Sequence, residues 1–449
     1  MKKQLYALVD CSSFYCSCER AFRPDLEGKP ICVLSNNDGC IIALTPDVKE
    51  MGFKMGTPYF EAKKELEKNG VAVFSSNYCL YADMSRRVIN IIERFSDEVE
   101  QYSIDEAFVR FEVDTDKLEE ERERMLKLAE EIHTAVMKGT GIPVRVSIAE
   151  TKTLAKIGSD YTKTLLKKKL LPCVCFWEHP IKETYMKELS VSKVWGIGRQ
   201  WSKKLEATSI MNAWDLSRQN PANIRVRFNI VMERTVRELN GFSCIPLELV
   251  ADARKSLVRS RMFSKKLTDP KYILQAVSSH LVRGAEKLRK EHLMAGHVSV
   301  HISTGRHAES VCYRYVSAQL PRPTNDTLIL NQLAAKLFAQ CFIANDCRGK
   351  AYQYSKAGVT FSNLISEEHQ SNTLLTFEDI EKPQIMRALD MINRRFGKYS
   401  LVLASMGTPD KLKRVDKGDK KGVEWGMRRE KMSPRYTTKW DEVLKVKLT

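Results

Sequence analysis

A chain of 449 residues exceeds the length over which one hydrophobic core usually grows, and its 43% hydrophobic content is that of a folded globular protein. A formal net charge of +17 favours a polyanionic partner, nucleic acid first, because each neutralised phosphate releases condensed counterions. No apolar run reaches about eighteen residues, Met1-Lys2-Lys3-Gln4 leads directly into a short apolar stretch, and the charge is spread along the chain; neither a membrane partner nor a secretory signal is expected, and a soluble cytoplasmic protein is.

In chain order, Leu5-Tyr6-Ala7-Leu8-Val9 is an apolar run ending at Asp10, and Pro30-Ile31-Cys32-Val33-Leu34 ends at the polar cluster Ser35-Asn36-Asn37-Asp38-Gly39. Both read as buried strands that stop at a site. A patch rich in Gly, Lys and Pro from Lys49 to Pro58 precedes a helical stretch from Phe60 to Lys68. Ala82 to Phe95 then sets Met84, Val88, Ile91 and Ile92 on one helical side. Val99 to Val113 alternates around Ser103-Ile104-Asp105-Glu106-Ala107, the pattern of two strands meeting at a tight turn. Asp116 to Lys138 carries Leu118, Met125, Leu128, Ile132 and Val136 as a helical stripe beneath a solvated charged face. Val144 to Ile148 reads as a further strand. Strands and helices interleaved through residues 1–180 predict an α/β or α+β catalytic core.

From Leu189 the texture turns to short helices around the glycine-punctuated Val194-Trp195-Gly196-Ile197-Gly198. Beyond Gly241 the expected order is strand 256–264, helix 270–291, strands 297–303 and 310–317, helix 326–344 and strand 355–362. That is the β-α-β-β-α-β pattern of a ferredoxin-like unit. Its first strand alternates in a way that sends Val258 and Met262 into a core and Arg259 and Arg261, followed by Lys265 and Lys266, to a phosphate-tracking face. Residues 363–383 read as a polar linker, and Gln384 to Phe396 as a helix. The basic remainder interleaves Trp425, Tyr436 and Trp440 with Lys and Arg, a composition that suits either stacking on single-stranded nucleic acid or docking a protein. The twelve cysteines include Cys16-x-Cys18 and Cys173-x-Cys175 but no Cys-x-x-Cys pair, and several, such as Cys32 and Cys312, sit in apolar runs. They read as reduced, buried thiols, with neither zinc sites nor disulfides.

Asp10 at a strand end and Asp105-Glu106 at a turn are the residues that carry chemistry. Adjacent strand residues point to opposite faces, so both carboxylates of the pair reach one site only where the backbone bends. Three convergent carboxylates without histidine suit a hard cation, magnesium or manganese, and a pair of such ions stabilises the attacking and leaving oxygens of an in-line displacement at phosphorus. From spacing alone a second reading stands level: Asp10 as a turn cap, Asp105-Glu106 as a solvated hairpin tip.

Asp10-Cys11-Ser12-Ser13-Phe14-Tyr15, Ser35-Asn36-Asn37-Asp38-Gly39-Cys40, Tyr102-Ser103-Ile104-Asp105-Glu106-Ala107-Phe108 and Ser147-Ile148-Ala149-Glu150-Thr151-Lys152-Thr153-Leu154-Ala155-Lys156 closely resemble the motifs of the Y-family DNA polymerases. Within that family the resemblance is to the UmuC type, the catalytic subunit of the bacterial SOS mutagenesis polymerase. It covers nearly the whole chain in order, including Met432-Ser433-Pro434-Arg435-Tyr436-Thr437-Thr438. The resemblance implies an α+β right hand: palm in 1–180 with fingers inserted at about 20–80, a helix-hairpin-helix thumb in 181–245, and a ferredoxin-like little finger in 246–362. A linker then spans 363–383 and a UmuC-type C-terminal segment 384–449. It implies error-prone translesion synthesis on primer-template DNA from dNTPs, with two Mg²⁺ ions, or Mn²⁺ in their place. Asp10 and Asp105 would bridge the ions, Glu106 would complete the site and the Cys11 carbonyl would add an oxygen. Phe14 and Tyr15 match the aromatic positions beneath the incoming sugar, Tyr15 as the steric gate against a 2′-hydroxyl. Lys49 and Lys163 match the positions that meet the triphosphate, whereas Pro46 stands where many relatives carry a tyrosine that touches it.

Gly196 and Gly198, with Lys203 and Lys204 after them, resemble a helix-hairpin-helix grip on duplex backbone, in which glycine lets backbone amides approach a phosphate. Leu374, Leu375 and Phe377 fall where relatives carry a sliding-clamp peptide, and read equally as a linker with incidental hydrophobes. The resemblance further implies a UmuD′-like dimer and a RecA filament as partners. Two other readings are a haloacid-dehalogenase-type phosphohydrolase, disfavoured because Ser12 stands where a second aspartate is needed, and a non-catalytic DNA-binding scaffold, disfavoured by the intact Asp10, Asp105 and Glu106.

Overall fold

The computed structural model describes residues 1–250, 252–369, 383–416 and 423–444. The chain opens with β1 (Lys2–Cys11), α1 (Phe14–Ala21), β2 (Ile31–Leu34), β3 (Ile41–Leu44), α2 (Pro46–Glu50), α3 (Tyr59–Lys68), β4 (Ala72–Ser75) and α4 (Tyr78–Ile92). There follow the hairpin strands β5 (Val99–Gln101) and β6 (Glu106–Asp114), then α5 (Leu118–Thr140), β7 (Val144–Ala149), α6 (Lys152–Lys167) and β8 (Cys173–Cys175). Five of these strands form one sheet in the order β5-β6-β1-β7-β8, antiparallel except for β7 and β8. Alternation along β1 divides its side chains between two cores: Leu5, Ala7 and Val9 pack with α4 and α5, while Leu8 packs with Leu154, Ala155 and Ile157 of α6. Asp10 shares the parity of Leu8, so its place on the α6 side follows from the pleat. On α5 the residues that enter the core are Met125, Ala129, Ile132 and Val136, the inward stripe of an otherwise charged helix.

Gly158 sets how closely α6 lies on the sheet. A Cβ at that position would stand 1.9 Å from Ser147 Oγ on β7. A smaller sheet, β3-β2-β4, closes its own core with Cys32, Leu34, Ile41, Leu44, Val48 and Leu66.

After β8 come five short helices, α7 (Ile181–Glu188), α8 (Arg199–Glu206), α9 (Ala213–Ser217), α10 (Pro221–Arg227) and α11 (Ile230–Leu239). Their apolar residues join the core of α6 through Met186, Leu205, Leu216 and Val236. The next unit is β9 (Ser256–Leu267), α12 (Pro270–Lys290), β10 (Leu293–Thr304), β11 (Tyr313–Thr324), α13 (Thr327–Cys341) and β12 (Tyr354–Ser366). Its sheet is fully antiparallel in the order β11-β10-β12-β9, with one strand lying between the two that each helix connects. β11 runs on through Pro321 and Pro323, which an edge strand tolerates because no partner needs their missing N–H groups.

One expectation is reversed here. On β9 the buried residues are Leu257, Phe263 and Leu267, and Arg259 and Arg261 share their parity on the α12 side. Val258 and Met262 are instead exposed, at 55% and 56%. The helices cover only one face of this sheet, so apolar residues of the other parity remain in the open, in a row that continues through Lys356 and Ser303 to Tyr313.

Helix α14 (Pro383–Arg395) docks on this unit through Arg289, whose guanidinium donates to both Asp390 oxygens at 2.6 and 2.8 Å. Met406, Leu412 in α15 (Pro409–Asp416) and Trp425 complete the same core. From Trp425 the chain turns back across the molecule. Ser264 N–H of β9 donates to Gly426 O, Arg428 and Glu430 N–H donate to the side chains of Asn37 and Asp38, and Lys431 exchanges bonds with Ser75 on β4. Asn77 donates to Ser433 and Pro434, and Tyr436 ends buried in the core around the first sheet, stacked on Phe22 with ring centroids 4.5 Å apart. Residues 426–438 are thus a strap from the last sheet to the first two. Beside it, Asn37 also donates directly to Met262 O and Phe263 O of β9.

Candidate active site

Asp10 is the penultimate residue of the central strand, with Glu106 directly across on β6 and Arg145 directly across on β7. Directly opposed residues share a face, so three charged side chains stand in one row at the sheet's edge. Asp105 belongs to the turn: its carbonyl accepts from Cys11 N–H at 2.8 Å, and Tyr102 and Ser103 N–H both donate to Glu106 O at 3.1 Å. This is the bend that a straight strand lacks, and it brings Asp105 and Glu106 to the end of β1 together.

Each carboxylate has its own donors. Asp10 Oδ2 accepts from Arg145 Nη2 at 2.6 Å and from Ser159 Oγ at 3.1 Å. Glu106 accepts from Lys156 Nζ with both oxygens at 2.9 Å. Asp105 Oδ1 accepts from Ser103 Oγ at 2.5 Å. The Lys156 ammonium also lies 4.4 Å from the centre of the Tyr102 ring and 5.6 Å from that of Trp195, whose indole N–H donates to Tyr102 Oη. Burial raises the Glu106 carboxyl above its ordinary range; Lys156 opposes that shift, and the negative charges of Asp10 and Asp105 add to it. Burial, with the same two aspartates next, holds the Cys11 thiol protonated. Among the described residues no group of three or more His, Cys, Asp or Glu is gathered closely enough to hold a metal ion with the side chains as they stand. The donor chemistry nevertheless fits a hard divalent cation: three adjacent carboxylates, mutually repelling, each already turned to a hydrogen-bond donor, two of them to a cation.

The row opens into a cleft of about 640 Å³ lined by Asp10, Glu106, Lys156, Lys163, Lys193 and Trp195 among others. Four lysines, Lys156, Lys163, Lys167 and Lys193, share its walls with the carboxylates of Asp10, Glu106 and Asp160. Lys163 pairs with Asp160, whose carboxyl is raised by burial yet lowered on balance by bonds from Lys163 and Tyr185.

Other sequence-chosen residues are distributed around this centre. Phe14 is buried and Tyr15 half-buried on α1; the Tyr15 ring stacks on Tyr81 at 4.4 Å, and Tyr81 Oη donates to Glu19 at 2.6 Å. Lys49 is exposed on α2, which begins at Pro46, and does not line the cleft. Gly196, at φ +85°, and Gly198, preceding α8, are exposed, and a Cβ on Gly198 would meet nothing within 4 Å. Lys203 and Lys204 occupy the last turn of α8. Arg259 and Arg261 stand on the helix side of β9, as described. Leu374, Leu375 and Phe377 lie outside the described residues. Sequence reasoning passed over Arg145, Ser159, Ser103 and Trp195. The one available signal was Arg145 itself, a lone charge inside Val144-Arg145-Val146-Ser147-Ile148-Ala149.

Among the described residues no helix is long and apolar enough to cross a membrane. Residues 9–160 match the profile of the impB/mucB/samB family, 254–374 match that family's C-terminal domain, and 383–446 match a domain of unknown function. The chain is 39% identical to Protein UmuC of Salmonella typhimurium over 99% of its own length and 100% of that protein's. It is 35% identical to Protein SamB of Salmonella typhimurium over 99% and 100%. Among solved structures, a chimera of the Y-family DNA polymerases Dbh and Dpo4 superposes with a TM-score of 0.60 at 20% identity, covering 81% of this chain and 99% of that one.

Proposed function

From the premise that the chain belongs to the impB/mucB/samB family, as a UmuC-type Y-family DNA polymerase, we propose how its residues divide the work of a DNA-directed polymerase engaged in translesion synthesis and SOS mutagenesis. The observation that carries the assignment is the row Asp10, Glu106 and neighbouring Asp105 at the mouth of a lysine-lined cleft. Polymerases of this family use divalent metal ions; two magnesium ions, with manganese as a substitute, would be held by Asp10, Asp105, Glu106 and the Cys11 carbonyl. Such ions supply charge stabilisation for the attacking and leaving oxygens.

The chain's own residues do the rest. Lys163, Lys167 and Lys193 draw the triphosphate of a dNTP into the cleft, Lys163 after release from Asp160. Lys156, cradled by Tyr102 and Trp195, donates to both oxygens of Glu106 and keeps the carboxylate aimed along the row. Tyr15, its ring stacked on Tyr81, would meet the incoming sugar and so favour deoxyribose. Primer-template DNA would lie against the exposed Gly196–Gly198 turn, Lys203 and Lys204, and the uncovered face of the last sheet, held through its phosphates without base readout. A UmuD′-like dimer, a RecA filament and a sliding clamp are proposed as protein partners on the family resemblance alone.

Primer extension on undamaged and abasic templates tests the assignment, with accessory proteins supplied. Asp105→Asn is expected to abolish extension, and Tyr15→Ala to admit ribonucleotides. Full activity in the Asn variant would sink the metal-ligand role, and unchanged sugar selectivity in the Ala variant would sink the gate.

A further inference from the structure

Arg145 is out of place for a strand in a palm core. It faces the catalytic row from β7, both it and Asp10 are largely buried, at 12% and 15% side-chain exposure, and its Nη2 takes Asp10 Oδ2 at 2.6 Å. Its buried Nε has no hydrogen-bond partner among the described residues. A buried guanidinium with an idle donor is costly, so its retention at this position needs a gain elsewhere. Ser159 Oγ from α6 converges on the same oxygen at 3.1 Å, so Oδ2 is already saturated from two elements. Of the two oxygens Asp10 could offer a cation, Oδ2 is the one already taken.

We propose that Arg145 is a positioning residue that competes with divalent cations for Asp10. In the metal-free enzyme the guanidinium holds Oδ2 and neutralises the carboxylate. Filling the site displaces it, so Arg145 sets the cation concentration at which the site loads. The effect is electrostatic at root: a fixed positive charge a few ångströms away disfavours a doubly charged newcomer in a partly desolvated site. Lys156 does the same for Glu106, but its ammonium sits on a flexible stem with aromatic rings to retreat onto, whereas Arg145 is anchored in the sheet. This proposal rests on the metal reading given above.

The test is Mn²⁺ binding to the metal-free full-length protein, followed by the loss of the free-ion paramagnetic resonance signal, with and without primer-template and dNTP. Wild type, Arg145→Gln, Arg145→Lys and Asp10→Asn are compared. Arg145→Gln is expected to tighten Mn²⁺ binding about tenfold, and the Mg²⁺ concentration for half-maximal primer extension is expected to fall in parallel. Arg145→Lys keeps the charge on a shorter stem without the fork and is expected to tighten binding by about threefold; it carries the test if the Gln variant does not fold. Unchanged or weaker binding in the folded variants overturns the competition. Absence in wild type of any Mn²⁺ binding that Asp10→Asn removes overturns the metal reading, and this proposal with it.

Discussion

Glu19 shows what a single buried group does to this protein's behaviour. It lies fully buried on α1, and burial pushes its carboxyl up from 4.5 to about 7, with the hydroxyls of Tyr81 and Ser433 opposing the shift. Below about pH 4.5 the folded and unfolded chains both hold this proton, and its contribution to stability is fully present. Between about 4.5 and 7 only the folded chain keeps it, so stability falls as pH rises; above 7 a deficit of roughly 3 kcal/mol persists. Glu19→Gln removes the titration and keeps an acceptor for Tyr81. Urea melts are expected to show the variant more stable than wild type at pH 8 by about 1–3 kcal/mol, with the difference vanishing near pH 4.5. A pH-independent difference would mean that Glu19 stays ionised in the folded state. At this scale the sequence was partly legible. Spacing alone leaves Asp10, Asp105 and Glu106 level between a site and a turn, and the motifs around them single them out; Arg145 shows only as a lone charge in an apolar run, and Glu19 as an ordinary polar position until helix burial gives it neighbours.

At the scale of elements, α6 is the piece on which the site depends, since it delivers Ser159 to Asp10, Lys156 to Glu106 and Lys163 to the cleft. Its seating on the sheet depends on Gly158, where a Cβ would collide with Ser147. Gly158→Ala is expected to lift the helix and cost about 1–3 kcal/mol of stability, with a larger loss of extension rate than of DNA affinity. Adding Ser147→Gly to it should restore both, because the added methyl then has room; failure of that rescue would place the defect elsewhere. Helix and strand periods made most elements readable in advance, including the hairpin that bends at Asp105. The facing of β9 was not, because period two fixes which residues share a side but not which side is covered. Only the docking of α12 and α13 on one face of the sheet decides that Arg259 and Arg261 turn toward helices and Val258 and Met262 toward solvent.

At the scale of the whole molecule, the strap of residues 426–438 joins units that no local signal connects: its bonds to Asn37, Asp38, Ser75 and Asn77 span most of the chain. Aromatic residues among lysines and arginines left its role open between nucleic acid and protein, and in the fold Tyr436 and Trp425 are core residues of two different units. Removing 426–449 is expected to leave both cores folded, the first short of Tyr436, and to free the last sheet from the first two, since among the described residues the direct bonds that remain between them are those of Asn37 to β9. Small-angle scattering should record an increase of several ångströms in radius of gyration, an order expected for domains released onto a linker. An unchanged radius would assign the rigidity to the Asn37 contact. The strap also bears on synthesis. A ribosome adds about 5–20 residues per second, and domains fold largely as they emerge. Here Phe22 and Glu19 wait for Tyr436 and Ser433, so a nascent chain carries Asp10, Asp105 and Glu106 long before the core around its first sheet is sealed. Only a chain made as far as Tyr436 can complete that first core.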